Sequence, residues 1–177
     1  MYRFTAPALA LAVLTAPALA QEAAKPGPEH ARMAYFAGTW KFDGEAKDSP
    51  MGPGGKMSGE ETCRWFDGGF QLVCQGSMTG PRGPGKSGSV WAYDPAQQVY
   101  TYFGYSSMGE AFYVTGKVAG KVWTWTAGFP MGGATVQMRA TVTEESPTAY
   151  TYRLDTSLDG ATWTAVEEGR ATKQGRP

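Results

Sequence analysis

From residue 40 onward, apolar and polar residues alternate with a period of two, broken at intervals by glycine, proline and aspartate. Trp40, Phe42, Gly44 and Ala46 share one face of the first such segment, and Lys41, Asp43, Glu45 and Lys47 share the other. The same alternation predicts strands near 57–66, 70–79, 87–93, 98–106, 110–118, 121–127, 134–144, 148–156 and 161–172. With the first segment, these make ten strands in sequential order. DSPMGPGG (48–55) and GPRGPG (80–85) read as loops, while DPAQ, AG, ESP and SLDG read as short hairpin turns. Upstream, PEHARMAYFA (28–37) reads as one short helix, with Pro28 suited to its first position and Gly38 to its stop. QEAAKPG (21–27) and residues 174–177 read as tails flanking a single domain over 28–173.

Ten sequential strands in one small domain expose two edges unless the sheet closes on itself. Short hairpins between nearly all neighbours favour an up-and-down antiparallel barrel over a sandwich. The predicted class is therefore all-β, a ten-stranded barrel capped by a short N-terminal helix. A barrel of this strand number encloses either a packed core or one small ligand.

The first residues change the chemical setting. Arg3 is followed by a run over 6–19 that is almost wholly Ala, Leu, Val and Pro, and Ala18-Leu19-Ala20 is an A-x-A signal. This pattern predicts a secretory signal peptide over 1–20, cleaved after Ala20, and a periplasmic or secreted mature chain. The run is too short to span a bilayer, and no later segment is apolar enough, so no stable membrane insertion is expected. Sixteen Lys and Arg balance sixteen Asp and Glu, and no basic stripe is present, which argues against nucleic acid.

In an oxidising compartment the only two cysteines, Cys63 and Cys74, read as a staple. They lie five residues either side of Gly68-Gly69, so a two-residue turn there sets them directly opposite one another on paired strands. A C-x-x-C redox motif is absent, and zinc needs more ligands than two cysteines and one histidine supply.

Four segments carry a family resemblance. Gly38-Thr39-Trp40 opens the first strand after the short helix, in company with MGPGGK (51–56), AYDPAQQVYTYFG (92–104) and SLDGATWT (157–164). Together these resemble a bacterial family of lipocalin-like proteins of unknown function, over about residues 29–173. The resemblance implies a calycin-like barrel and no established activity. It also implies a structural role for Trp40 at the closed end of the barrel. A basic residue of the last strand would cover it by cation–π contact: Arg170, with Lys173 also near.

Chemistry-bearing residues are sparse. His30 is the only histidine, and EEGRATKQGRP at the chain end lacks the histidine by which a related barrel family holds haem. GYSSMG (104–109) misses the G-x-S-x-G spacing of a nucleophile elbow. Glu60-Glu61, Glu144-Glu145 and Glu167-Glu168 are strand neighbours that point to opposite faces, and they read as solvated carboxylates. No catalytic residue, metal site or cofactor is expected. Met51, Met57, Met78, Met108 and Met131 lie in or beside glycine-rich turns; thioethers suit Cu(I), but a gap-filling role accounts for them. Arg64, Arg139 and Arg153 are mid-strand and expected to face outward.

The aromatic residues lead to the functional expectation. Trp65, Leu72, Trp91, Tyr93, Tyr102, Tyr113, Trp123, Met138 and Tyr152 are the pocket candidates. They predict an exported, non-catalytic binding protein that carries a small apolar or amphipathic ligand, lipid or fatty-acid-like, inside the barrel. The competing expectation is an interaction module of the cell envelope that forms a homodimer or binds a protein partner through outer aromatic faces.

Overall fold

The computed structural model describes residues 24–175, so the expected signal peptide over 1–20 and its cleavage point lie outside the described residues. The described residues form one short helix, α1 (Pro28–Arg32), a 3₁₀ turn (Met33–Phe36) and ten strands. The strands are β1 (Gly38–Ala46), β2 (Gly55–Trp65), β3 (Leu72–Gly80), β4 (Gly83–Asp94) and β5 (Val99–Ser106), then β6 (Ala111–Ala119), β7 (Val122–Met131), β8 (Ala134–Ser146), β9 (Ala149–Ser157) and β10 (Thr164–Gln174). Each pairs antiparallel with its sequence neighbours, and β1 pairs with β10 to close the barrel. The expected ten-stranded up-and-down barrel is thus the observed one.

Four local differences have physical causes. The predicted helix over 28–37 tightens to 3₁₀ geometry after Arg32, which turns Met33 and Phe36 down into the barrel end. GPRGPG is mostly strand: β3 and β4 stay in register to Gly80↔Gly83, leaving only Pro81-Arg82 as the turn. The stapled hairpin closes through a wider loop than Gly68-Gly69 alone. The Phe66 amide donates to Gln71 O at 2.9 Å and the Gly69 amide to Phe66 O at 3.0 Å, yet Cys63 still faces Cys74. Strand β10 starts at 164 rather than 161, because Asp159 turns the preceding loop by accepting the Ala161 and Thr162 amides at 2.8 and 2.7 Å. Those amides hold the Asp159 carboxyl well below the usual carboxylate range.

Strand β7 also runs on through Pro130. Proline is tolerated there because β7 pairs with β6 only from Val122 to Thr126 and with β8 along its whole length. Below Thr115–Thr126 the two strands part, and the wall has a seam.

The cap and the closed end share one aromatic core. Met33, Phe36, Leu72, Trp91, Tyr100 and Trp123 are all buried there. Phe36 packs 4.7 Å from Trp91 and 5.1 Å from Trp123, centroid to centroid. Trp40 is 2 % exposed and donates its indole N–H to Phe36 O at 2.9 Å, tying β1 to the cap. The cap is pinned from outside too. Tyr35 donates to Ala149 O at 2.8 Å, and Arg32 pairs with Glu144, which also accepts the Trp123 indole N–H at 2.6 Å.

The basic residue over Trp40 is Lys173, with its ammonium 5.0 Å from the ring centroid, and not Arg170. The register between β9 and β10 shifts between Ala165 and Glu167. A bulge changes the facing of every later residue. Glu167, Gly169, Ala171 and Lys173 therefore point inward, and Arg170 points out to bond Glu145 at 2.8 Å.

Candidate functional site

The two sides of the barrel interior are filled differently. On the β5–β8 side, Val114, Trp125 and Met138 extend the packed core downward from the cap. On the β9–β10–β1–β2–β3 side, the inward residues Phe42, Glu61, Tyr150, Tyr152 and Glu167 are only half-buried, as is Tyr102 facing them from β5. They line the inner wall on this side, and Tyr102 and Tyr150 also pack against the core above it.

The sequence hollows this side toward its open end by pairing aromatics with glycines across strands. Tyr152 lies flat over Gly169 and Gly44: a Cβ on either glycine would sit 2.4 or 2.3 Å from the Tyr152 hydroxyl oxygen. Phe42 lies on Gly59 in the same way, with its Cζ 2.4 Å from where a Cβ would be. A ring laid along the wall does not reach the axis. Glycine makes this possible only by having no side chain, and it also lets the strands bend for closure.

The hollow opens at the barrel end away from the cap, in a cavity of about 170 Å³. Met57, Met78, Leu154, Val166 and Glu167 line its inner part, and Met51 and Met108 reach it from loops. Four of the five methionines singled out in the sequence thus meet at the mouth, where flexible thioethers make an adaptable apolar lining. The ion pair Arg82–Glu110 sits on the rim.

Two polar groups inside the hollow lack partners among the described residues. Tyr152 Oη is a fully buried hydroxyl with no hydrogen bond among the described residues. Glu61 points inward in phase with Cys63, and its carboxylate lies within 4.8 Å of both sulfurs of the Cys63–Cys74 disulfide. With both sulfurs bonded to each other, this trio is not a metal site. Burial alone pushes the Glu61 carboxyl up to about 7, and no ion pair or hydrogen bond offsets it. Burial raises Glu167 as well. Tyr102 and Tyr150 hydroxyls are raised first by burial and then by the charge of Glu61, and Tyr152 by burial and then by Glu167. An acidic, tyrosine-rich surface therefore runs from Glu61 at the floor to Glu167 near the mouth.

Among the described residues, no basic side chain answers it within the hollow. Lys173 is held over Trp40 with its ammonium donating to Tyr35 O at 3.2 Å. Arg139 and Arg153 are on the outer face, as expected, both bonded to the buried Asp155.

Of the nine pocket candidates, Tyr102 and Tyr152 line the hollow. Leu72, Trp91, Trp123 and Met138 are core residues, and Tyr93 packs against that core beside His30. Trp65 is 37 % exposed at the end of β2, outside the hollow. Tyr113 is 54 % exposed on the outer face, because Phe112, Val114 and Gly116 take the inward positions of β6. Phe42, Glu61, Tyr150 and Glu167 are lining residues that the sequence reading missed. For Glu61 the signal was available: it shares a strand face with Cys63.

Among the described residues, no helix is long and apolar enough to cross a membrane. The chain belongs to the DUF1579 family. That family is described as proteins of unknown function, and it matches residues 25–173, the whole barrel with its cap. No curated protein matches the sequence. Two solved structures show what the fold is similar to. Rv2717c from M. tuberculosis is 12 % identical, with 84 % of this chain and 99 % of that chain covered at a TM-score of 0.58. The S-type phycobiliprotein lyase CPES from Guillardia theta is 6 % identical, with 84 % and 94 % covered at a TM-score of 0.56. At these identities the likeness is one of fold.

Proposed function

We propose that this DUF1579 protein is an exported, non-catalytic binding protein that holds a small amphipathic ligand in the hollow side of its barrel. The observation that carries the reading is an interior cavity at the open end of the barrel together with an inward carboxylate, Glu61, that has no hydrogen-bond or ion-pair partner among the described residues. Unpaired buried polar groups are costly in a structural core and are normal in a site whose partner arrives with the ligand. The methionine-lined mouth suits an apolar tail, and the floor suits a polar head. A mouth of about 170 Å³ is below the ~300–1,000 Å³ of common ligand pockets, which favours a small or slender molecule. The disulfide supports export. Native mass spectrometry of gently purified protein, with thermal-shift titrations of short amphiphiles, tests the proposal. A co-purifying ligand or saturable stabilisation, abolished by Met78→Trp at the mouth, supports it. No bound species and no stabilisation by any amphiphile overturns it.

A second reading rests on the outer surface. Phe103, Tyr105 and Tyr113 are exposed together, with Phe103 opposite Tyr113 and 6.1 Å from Tyr105. This patch suits self-association. Light scattering across a range of concentrations, repeated on Phe103→Ser, would show a concentration-dependent dimer lost in the variant.

A further inference from the structure

The charge of the hollow narrows the ligand class, on the premise that the hollow is the binding site. We propose that the ligand's head group is an aliphatic amine or ammonium, received by Glu61 at the floor of the hollow, with the tail running toward the methionine-lined mouth.

Three observations converge on this. First, Glu61 is turned into the barrel rather than out to solvent, and its carboxylate lies beside the disulfide with no donor to satisfy it. A carboxylate held there needs a donor or a counter-charge, and an ammonium supplies both in one charge-assisted hydrogen bond. Second, the groups facing Glu61 reinforce the preference. Tyr102 from β5 and Tyr150 from β9 turn their rings toward the same space. Aromatic faces attract cations and do nothing for anions. From β3 the residue opposite is Gly76, which adds no side chain, and the Ser87 hydroxyl lies beside it. Third, the remaining charged group of the hollow, Glu167, is also acidic, and the nearest inward base, Lys173, is committed to Tyr35 O and the Trp40 face. A fatty-acid head would bring a third carboxylate into an enclosure with no free base. The fatty-acid-like ligand expected from the sequence is thus the wrong charge for this lining, while the apolar tail remains well matched.

The test compares three ligands with one tail: octylamine, octanol and octanoate, titrated calorimetrically at about pH 8, where Glu61 is ionised. The expected order is octylamine over octanol over octanoate, with the amine preferred to the alcohol by roughly tenfold, the size of one charge-assisted hydrogen bond after desolvation. Glu61→Gln should bring amine and alcohol to within about threefold of each other. Glu60→Gln, on the outer face of the same strand, should leave the preference intact. If octanol binds as well as octylamine, or if octanoate binds best, the head-group inference is overturned while the ligand-binding reading stands. If Glu61→Gln keeps the amine preference, Glu61 is not the receiving group and the inference is likewise overturned. If none of the three binds, both fall together.

Discussion

Replacing Tyr152 with phenylalanine removes one oxygen and leaves the ring on its seat across Gly44 and Gly169. That oxygen is the only fully buried side-chain polar atom without a partner among the described residues. Leaving a buried hydroxyl unsatisfied costs about 1–3 kcal/mol, and the apolar area of the ring is unchanged by the substitution. Tyr152→Phe is therefore expected to stabilise the ligand-free protein by about 1 kcal/mol, against the usual rule that point changes destabilise. For a chain of this length that raises Tm by roughly 2–4 °C, well within calorimetric resolution. Tyr150→Phe is the internal comparison: its ring is half-buried against the hollow, and the change should be neutral to about 0.5 kcal/mol. The two variants are measured by scanning calorimetry and urea denaturation at neutral pH, after removal of any ligand. If Tyr152→Phe lowers Tm by a similar amount, the hydroxyl holds a bond that stabilises the fold, and the case for a ligand-facing group fails. A gain in stability accompanied by weaker ligand binding is the trade expected where a site holds a polar group unsatisfied for its partner.

Three further outcomes follow from the same geometry. Glu61 has a folded-state pKa of about 7 against an ordinary 4.5, so ionisation opposes folding; wild-type stability should fall as pH rises from about 4.5 and level off above about 7, a loss of roughly 3 kcal/mol. Glu61→Gln should lack that component, and urea midpoints that fall in parallel for both proteins would show a solvated carboxylate. Gly169→Ala would drive a methyl to 2.4 Å from Tyr152 Oη and 2.5 Å from Asp43 O, and should cost about 1–3 kcal/mol by calorimetry; a neutral change would mean the ring does not lie on that glycine. Lys173→Met should change Trp40 emission and cost about 1 kcal/mol, while Arg170→Met, removing an exposed pair, should cost about 0.5 kcal/mol or less; the reverse order would put Arg170 over the indole.

The architecture was readable because it rests on local regularities. Period-two alternation and short hairpins specify ten antiparallel neighbours, and equal spacing about Gly68-Gly69 places Cys63 opposite Cys74 even though the turn itself is wider. The site depends on terms that are not local. Whether Tyr152 fills the axis or lies along the wall is decided by glycines on two other strands, Gly169 on β10 and Gly44 on β1, which the registers alone bring beneath it. A single bulge after Ala165 exchanged Arg170 for Lys173 and carried Glu167 inside, and nothing in ATWTAVEEGRAT announces it. Glu61 was misread for a different reason. Adjacent carboxylates do point to opposite faces, as the alternation says, but one of those faces is the interior.

The place where β6 and β7 part below Thr115–Thr126 bears on how the lower rim can move. Opening a sealed barrel means breaking ladder bonds one by one. Here Ala111 to Val114 and Ala127 to Met131 already run without bonds to one another, so the lower rim can spread like an unbuttoned collar with no bond lost between them. Cap and staple meanwhile hold the upper rim at a fixed girth. Give at the lower rim is thereby separated from stability: the lip is free to shift, and the molecule's resistance to unfolding is set at the other end.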